Sequence, residues 1–441
     1  MNKRLSWMLL AALALPLAPA CGGDDDDDGD DVADDTSDDT SDDTSDDTSD
    51  DGGDDAPVSP CGDGVVDVTE DIEGDATWTA DNVYCLNTHI FVRGGDLTIE
   101  AGTTVLGVEG SSLVITTSAR LVANGTSDAP IVFTSGQAEG ARSAGDWGGV
   151  VLLGLAPINV AGGTNVIEGF DAGTDGIEYG GDDPDHDCGS LTYARIEFAG
   201  FELSPDNELN ALSVGGCGAA TTLDYIHAHL GADDGVEFFG GTASISHLLV
   251  TQPDDDGLDW DYGWVGSVQF AIVQQNALVG NFAIEADNNG DANDAEPRSN
   301  PEIWNVTLIG SDQDPGTAGK QQGAMMLRRG TAGQIHNAVV AYFADFAIDV
   351  ADYSTVLLAE SGDLAVQSTW FFDNANDDED GFPAGFDVAD GEEDDCEEPG
   401  PGCVGFDEAA LFTAEETNVF GGEDPGLTSP LDLDAPSFLP V

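Results

Sequence analysis

Basic residues are scarce in this sequence. Ten Lys and Arg stand against 87 Asp and Glu, which gives a formal net charge of −77 at pH 7. Bulk charge therefore gives the chain no attraction for nucleic acid or for anionic lipid headgroups, and we expect neither as a partner. The chain attracts cations instead, and it stays soluble at high salt, where its self-repulsion is screened.

Long hydrophobic runs are also missing, which excludes a membrane-spanning helix. The apolar run at residues 8–17 is too short to span a bilayer, and it follows two basic residues, as in a secretory signal. We therefore predict that residues 1–20 are a signal peptide.

The signal ends in a sequence that resembles a bacterial lipobox, Ala-Pro-Ala-Cys at residues 18–21. The usual Leu lies one place early, at Leu17. The resemblance implies cleavage before Cys21 and acylation of its thiol; the alternative is an ordinary signal peptide with an incidental cysteine. In proteobacterial lipoproteins, a residue such as Gly22 after the cysteine permits sorting to the outer membrane. We expect an outer-membrane lipoprotein, exposed at the cell surface and anchored in the lipid through Cys21.

Cysteine is rare, and no CxxC spacing of a zinc or redox site occurs. Seven cysteines less Cys21 leave six, an even number that favours disulfides in an exported chain. Pairing of sequence neighbours is the natural choice among the connectivities that six cysteines allow. It joins Cys61 to Cys85, Cys188 to Cys217, and Cys396 to Cys403.

Sequence motifs of common enzymes are absent: there is no nucleophile elbow, P-loop or dinucleotide fingerprint. Parallel β-helix lyases use Arg or Lys as a base, but beyond residue 21 the chain has one Lys, Lys320, and seven Arg. The only basic pair, Arg328-Arg329, is interpreted as offsetting nearby acid. The His-Gly turn and Arg-x-Lys clamp of polygalacturonases are also absent.

After the predicted signal peptide at residues 1–20, composition divides the chain into four further parts. Residues 21–56 begin with Cys21 and then carry 19 Asp and no Lys or Arg, which predicts a disordered acidic tether. Residues 57–74 are a cysteine-containing lead-in, and residues 75–372 are rich in short β-type runs, with no convincing amphipathic helix. Residues 373–441 are acidic and rich in Pro and Gly, which predicts an irregular cap and tail.

An internal repeat defines the body. Residues 223–226, 245–248 and 268–271 align at steps of 22 and 23 residues. A second track, 233–238 against 255–260, keeps the same step. Two tracks in one register indicate a stacked supersecondary unit of short strands, which predicts a β-solenoid. Residues 303–308 and 335–340 are interpreted as later coils.

Several segments resemble pectate-lyase-like β-helix surface lipoproteins of marine Gram-negative bacteria, where they occur in this order. They are Thr77–Tyr84, Leu97–Thr103, Ala129–Ser135, Gly145–Gly149 and Asp234–Gly241. The resemblance implies an all-β fold, a right-handed parallel β-helix. It implies little about activity.

The Asp-Asp-Gly turns are the first candidate site. Stacked coils would bring Asp233, Asp234 and Glu237 over Asp255, Asp256 and Asp259, about 4.8 Å apart. Carboxylates so close repel one another unless a cation lies between them, and calcium prefers such oxygen ligands. The alternatives are a solvated acidic ladder and a pair of catalytic carboxylates drawn from Asp233, Asp234, Asp255 and Asp256.

Two further loops have calcium-like spacing. The first places Asn376, Asp378, Asp380, Gly381 and Asp387 at positions 1, 3, 5, 6 and 12 of an EF-hand-like loop. It contains Pro383 and lacks flanking helices. The second alternates Asp287, Asn289, Asp291 and Asn293 but lacks the glycine at its sixth place.

Aromatic and histidine residues surround these turns. Phe238 and Trp260 align and should stack inside the solenoid, whereas Tyr262 and Trp264 are predicted to be exposed for sugar stacking. We expect His227 and His229 to point to opposite strand faces and to be structural.

These features favour a non-catalytic surface binding or adhesion module, monomeric, calcium-associated and binding a glycan or another surface polymer. A polysaccharide-active enzyme and a purely structural surface protein are the alternatives.

Overall fold

Short strands make up most of the structure, as the apolar runs between Gly, Asn and Asp predict. The computed structural model describes residues 58–204, 207–276, 278–311, 322–374, 408–421 and 424–440. All of them belong to one compact unit, Ala56–Val441. The predicted signal peptide, Cys21 and the Asp-rich segment lie outside the described residues.

The strands, in chain order, are β1 Val66–Val68, β2 Ile72–Glu73, β3 Ala76–Trp78, β4 Val83–Leu86, β5 His89–Arg93, β6 Gly95–Ile99, β7 Thr104–Gly107, β8 Ser112–Ile115, β9 Ala119–Asn124, β10 Ile131–Ser135, β11 Val150–Leu153, β12 Asn165–Val166, β13 Glu178–Tyr179, β14 Gly189–Glu197, β15 Glu202–Ser204, β16 Asn207–Glu208, β17 Leu212–Gly215, β18 Thr222–His229, β19 Val236–Phe239, β20 Ser244–Thr251, β21 Leu258–Asp261, β22 Ser267–Gln274, β23 Phe282–Ala286, β24 Glu302–Ile309, β25 Gly323–Leu327, β26 Gly333–Ala341, β27 Phe346–Val350, β28 Leu364–Gln367, β29 Trp370–Phe372, β30 Val419–Phe420, β31 Leu427–Ser429 and β32 Ser437–Pro440. The two helices of the described residues are α1 Tyr353–Ser361 and α2 Glu408–Thr413.

Parallel pairing between successive coils stacks these strands into a β-helix with three faces. Face 1 is the ten-stranded sheet β2-β5-β8-β11-β17-β19-β21-β23-β25-β27. The sixteen-stranded sheet supplies the other two faces, because its long strands bend. Face 2 contains β3, β6, β9, the first halves of the long strands β14, β18, β20, β22, β24 and β26, and β28; face 3 contains β1, β4, β7, β10, the second halves of those long strands, β29 and β30.

The bend between faces 2 and 3 falls at one residue of each long strand. In β14, residues before Tyr193 pair with β9 and residues after it pair with β10. A residue at this corner has a left-handed backbone in six successive coils: Tyr193, Tyr225, His247, Phe270, Asn305 and Asn337, with φ between 47° and 63°. This conformation is uncommon for bulky residues, so its recurrence marks the corner in each of these coils.

The register confirms the predicted period. Leu223 lies opposite Ile245, which lies opposite Val268. On face 1, Val236 pairs with Leu258. Residues 303–308 and 335–340 are also coils, in β24 and β26. The β-helix predicted from the sequence is therefore present.

Alternating side chains fill the interior with one continuous core. In β18, Leu223, Ile226 and Ala228 are buried in it, and the residues between them face outward. Phe238 and Trp260, which lie opposite each other in register, are buried in it as predicted.

Two disulfides tie the early coils. Cys61 is bonded to Cys85, and Cys188 to Cys217. Both are pairings of sequence neighbours, as predicted. Cys396 and Cys403 lie outside the described residues.

Helix α1 was not expected from the sequence, because its apolar residues do not follow one face. Its ends explain why it forms. The Asp352 side chain accepts a hydrogen bond from the Thr355 amide (3.1 Å), and Gly362 ends the helix with φ 83°.

The C-terminal residues complete the last coil and then return to the middle of the solenoid. β30 pairs with β29, and Phe412 of α2 enters the core. The β31–β32 hairpin region lies beside the middle coils, where Gln252 donates to the Leu433 carbonyl (2.9 Å) and Gln274 to the Pro430 carbonyl (2.7 Å).

Candidate functional site

Two loops cover the outer side of face 1. The segment between β11 and β14 packs Ile158, Phe170 and Tyr179 against outward side chains of that face, such as Phe239. The second loop, between β23 and β24, meets the first at Asn159. The Asn159 amide donates to Asn288 Oδ1 (2.8 Å) and to the Pro297 carbonyl (3.1 Å). Outward side chains beneath these loops are therefore shielded from solvent.

Beneath the loops lies a row of carboxylates, here called the acidic row: Glu237, Asp259 and Glu285. They occupy one register position of β19, β21 and β23. Glu237 is only 7% exposed, and Asn210 Nδ2 donates to its Oε2 (2.6 Å). The predicted stacking of Glu237 over Asp259 is therefore present.

The Asp-Asp-Gly turns stack beside this row as the repeat predicts. Asp234 Oδ1 accepts the Asp256 amide (2.9 Å), and Asp256 Oδ1 accepts the Phe282 amide (2.6 Å). Both carboxylates are buried and each holds the backbone of the next coil, whereas Asp233 and Asp255 are half-buried.

Three groups of carboxylates bring ligand oxygens within 4.8 Å of one another. They are Asp233, Asp234 and Asp255; Asp234, Glu237 and Asp259; and Asp256, Asp259 and Glu285. All six of the turn and ladder acids predicted from the sequence occur in these groups. Oxygens around one calcium ion at about 2.4 Å lie at most about 5 Å apart, so each group has a suitable span.

Sequence reasoning missed four residues of this site: Asn210, Asp261, Glu285 and Asp287 as a partner of the row. Glu285 continues the track of Glu237 and Asp259, but a longer loop shifts its spacing and hides the repeat. Asp261 lies two residues after Asp259 on the same strand face, a signal that strand alternation supplies. Asn210 had no sequence signal.

Arg328 and Arg329 neutralise one end of the row, as interpreted from the sequence. Arg328 contacts Glu285 Oε1 (2.7 Å) and Asp287 Oδ1 (3.0 Å), and Arg329 contacts Asp287 Oδ2 (2.7 Å). The calcium-like loop beginning at Asp287 thus has its first carboxylate paired with arginine. The Asn289 side-chain oxygen in that loop accepts the backbone amides of Asp291 and Ala292.

Burial raises the pKa of the carboxyls in this region. Desolvation raises the pKa of Asp234, Glu237 and Asp259 well above the ordinary range, and neighbouring acids add to the shift. Burial also raises the pKa of Glu285, to about 7, although the charge of Arg328 acts in the opposite direction. The ionised carboxylates are therefore costly here unless positive charge is close.

The predicted exposure of Trp264 is wrong. Its side chain is 0% exposed, stacks on Phe238 with ring centroids 4.2 Å apart, and donates from Nε1 to the Ala243 carbonyl (2.9 Å). Gly263, with φ 84°, turns the chain so that the indole enters the core. Tyr262 is half-buried and packs with the side chains under the covering loop.

The expectation that His227 and His229 point to opposite faces is also wrong. Residues two apart on a strand share a face. His227 Nε2 and His229 Nδ1 both lie within hydrogen-bond distance of Thr251 Oγ1, at 2.8 and 2.7 Å. Burial lowers the pKa of His227 to about 3. No histidine belongs to the ligand groups found among the described residues.

The EF-hand-like loop of Asn376, Asp378, Asp380 and Asp387 lies outside the described residues. Within the described part of the chain, no helix has the length and apolar character needed to cross a membrane.

A second feature, not foreseen from the sequence, lies at the corner between faces 2 and 3. Tyr193, Tyr225, His247 and Phe270 occupy the corner in four successive coils, and we call them the aromatic ridge. Neighbouring ring centroids lie 4.3, 4.0 and 5.1 Å apart, with interplanar angles of 5°, 3° and 26°. The rings stack along the coil axis, so their edges face the solvent; Phe270 is 48% exposed.

A groove of about 250 Å³ runs beside the aromatic ridge. Its other walls come from the loop after β9, including Pro130, and from outward residues of face 3, including Arg195 and Leu249. None of the described residues that line it is acidic. In a chain of net charge −77, that is an unusual surface.

Comparisons with known proteins agree with this architecture. No curated protein and no solved structure matches the chain. A family model described as the pectate-lyase-like β-helix domain matches residues 70–392, about three quarters of the chain. With its parallel strands stacked in the register that such a fold requires, this chain belongs to the pectate-lyase-like β-helix domain family.

Proposed function

We propose that this chain is a non-catalytic surface module that binds an elongated, hydroxyl-rich polymer, a polysaccharide, in the groove beside the aromatic ridge. The observation that carries the proposal is the continuous stack from Tyr193 to Phe270. A left-handed backbone costs a bulky residue on the order of 1 kcal/mol, so four such rings in succession form a costly surface feature.

The composition of the groove suits a carbohydrate. Ring edges supply apolar contact, and the hydroxyls of Tyr193 and Tyr225 and the guanidinium of Arg195 supply hydrogen bonds. Successive coils repeat at the interstrand spacing of about 4.8 Å. The surface offered to an extended ligand is therefore periodic. Because none of the described lining residues is acidic, binding such a ligand does not carry the free-energy cost of removing water from carboxylates.

The enzyme alternative has less support. Of the four acids that could supply a catalytic pair, Asp234 and Asp256 are buried and each accepts a backbone amide of the following coil. These contacts give both carboxylates a structural role. The remaining two, Asp233 and Asp255, are not the residues that line the groove.

Replacing Tyr225 with Ala is expected to weaken polymer binding at least about tenfold, since the ring lies in the centre of the stack. The full chain is mixed with neutral and acidic polysaccharides, and elution is followed by size-exclusion chromatography with light scattering. Wild-type protein should comigrate with an intact polymer, and Tyr225→Ala should not.

Trp304→Ala is the matched control, because Trp304 is 40% exposed but belongs to a separate stack with His336. It should bind as the wild type does. A polymer that shrinks during incubation would establish the enzyme reading. Elution of every polymer alone would leave a structural surface protein as the better account.

We also propose that the mature chain is held in the outer membrane by acylated Cys21, facing outward, which rests on the sequence of residues 1–22. Cys21→Ser should abolish labelling by a radioactive fatty acid in cells and release the protein from the membrane fraction. Equal labelling of wild type and variant would refute the anchor. Cys61→Ser serves as the control, since Cys61 is disulfide-bonded.

A further inference from the structure

We propose that buried oxygens of Asn210, Asp234, Glu237 and Asp259 form a divalent-cation site suited to calcium, and that Arg328 is an internal cation filling the equivalent place one coil further along. This site lies on face 1, and it is independent of the groove proposed to bind polymer.

The first observation is an oxygen without a partner. Asn210 is 0% exposed, and its Nδ2 donates to Glu237 Oε2, so its amide lies at the acidic row. Its Oδ1 has no hydrogen-bond partner among the described residues, and neither has Asp259 Oδ1. A buried polar atom left unpaired is destabilising, and a bound cation would satisfy such an oxygen.

The second observation is charge. Asp234, Glu237 and Asp259 bring carboxylate oxygens within 4.8 Å of one another. Among the described ion pairs, none involves these three acids. Hard cations such as calcium take carboxylate and amide oxygens in flexible geometry, and this set offers both kinds.

The third observation is that the next carboxylate of the acidic row is already paired with a cation. Glu285 follows Asp259 in register, and Arg328 lies against it at 2.7 Å while also contacting Asp287 at 3.0 Å. The guanidinium is mostly buried, with 14% of its side chain exposed. Among the ion pairs of the described residues, one end of the acidic row therefore has a covalently held cation, and the Glu237 end has none.

Terbium luminescence tests the site locally, using Tb³⁺ as the probe. Trp260 and Trp264 lie in the core directly beneath face 1 and can sensitise a bound ion, whereas residues 22–56 contain no aromatic residue. The full-length protein should give sensitised emission that calcium displaces. Glu237→Gln and Asn210→Leu should each weaken Tb³⁺ binding about tenfold or more.

Glu302→Gln is the matched control, because Glu302 is an exposed strand residue of the same type. It should bind Tb³⁺ as the wild type does. Absence of sensitised emission from the wild type, or unchanged binding by Glu237→Gln, would overturn the site.

The role of Arg328 has its own test. In Arg328→Gln the Glu285 carboxylate loses its cation, so the increase in Tm on adding calcium should exceed that of the wild type. Arg328→Lys keeps the charge and should show the wild-type increase. If Arg328→Gln folds only with calcium, the inference is supported.

An equal calcium-induced increase in Arg328→Gln and wild type would contradict the role of Arg328. A double variant, Glu285→Gln with Arg328→Gln, removes acid and base together and should fold in chelator with a wild-type calcium response. Should the double variant fold while Arg328→Gln fails to fold even with calcium, Arg328 is not replaceable by an ion.

Discussion

In the presence of chelator, the protein should become less stable as the pH rises from about 5 to about 8. Burial raises the folded-state pKa of Glu237, Asp259 and Glu285 above their unfolded values, to about 7 for Glu285. Between the two values the native state holds more protons than the unfolded state, so the free energy of unfolding falls as the pH rises. Each titrating group contributes about 1.4 kcal/mol per pH unit inside its window.

The window for Glu285 extends from its unfolded value of 4.5 to about 7, and the windows of the other two extend upward from their ordinary values in the same direction. The groups that act on Glu285 are Asp287, Arg328, Arg329 and Asp255. Self-repulsion of the whole chain acts in the same direction, because ionisation of further acids increases the net negative charge.

Urea unfolding at about pH 5 and about pH 8, followed by tryptophan fluorescence, measures the effect. Glu237→Gln imitates the protonated side chain and should raise stability in chelator at about pH 8, with little change at about pH 5. Glu302→Gln removes one exposed charge and isolates the effect of net charge. Stability that increases steadily with pH in chelator would contradict the assignment.

Trp264→Ala is expected to cost about 3–5 kcal/mol of unfolding free energy, the range for a large aromatic removed from a packed core. The side chain is fully buried, stacks on Phe238 at 4.2 Å and lies 5.7 Å from the Trp260 ring. Its loss also leaves the Ala243 carbonyl without the indole donor.

Trp304→Ala provides the comparison, since that ring is 40% exposed and contacts His336 on the outer surface. Its cost should stay within about 1 kcal/mol. Urea denaturation of both variants gives the difference directly. If Trp264→Ala unfolded at the wild-type urea concentration, the indole could not have the core position described above.

The fold could be predicted from the sequence because each coil repeats two independent signals. Alternating apolar residues set the core face, and the Asp-Asp-Gly segment recurs at the same step, so the alignment of residues 223, 245 and 268 agrees with the observed register. The stacked Asp-Asp-Gly turns followed from the same repeat.

What the sequence hid depends on contacts between parts of the chain that do not repeat. The two loops that meet at Asn159 are insertions, and their coverage of face 1 is what buries Glu237. The burial of Trp264 depends on a local turn at Gly263, outside the repeating pattern. The stacking of the corner rings could not be predicted from the sequence, because the bend in each long strand, and not the strand itself, places the rings in line.

The return of the C-terminal hairpin to the middle coils affects how the molecule unfolds. In a solenoid each coil contacts only its neighbours, so unravelling can start at one end and proceed repeat by repeat. The hydrogen bonds from Gln252 to Leu433 and from Gln274 to Pro430 join residues 181 and 156 positions apart. These hydrogen bonds link the C-terminal hairpin to the middle coils. Unfolding from the C-terminal end therefore also breaks contacts of the middle coils, and we expect unfolding to be more cooperative than in a solenoid with contacts between neighbouring coils alone.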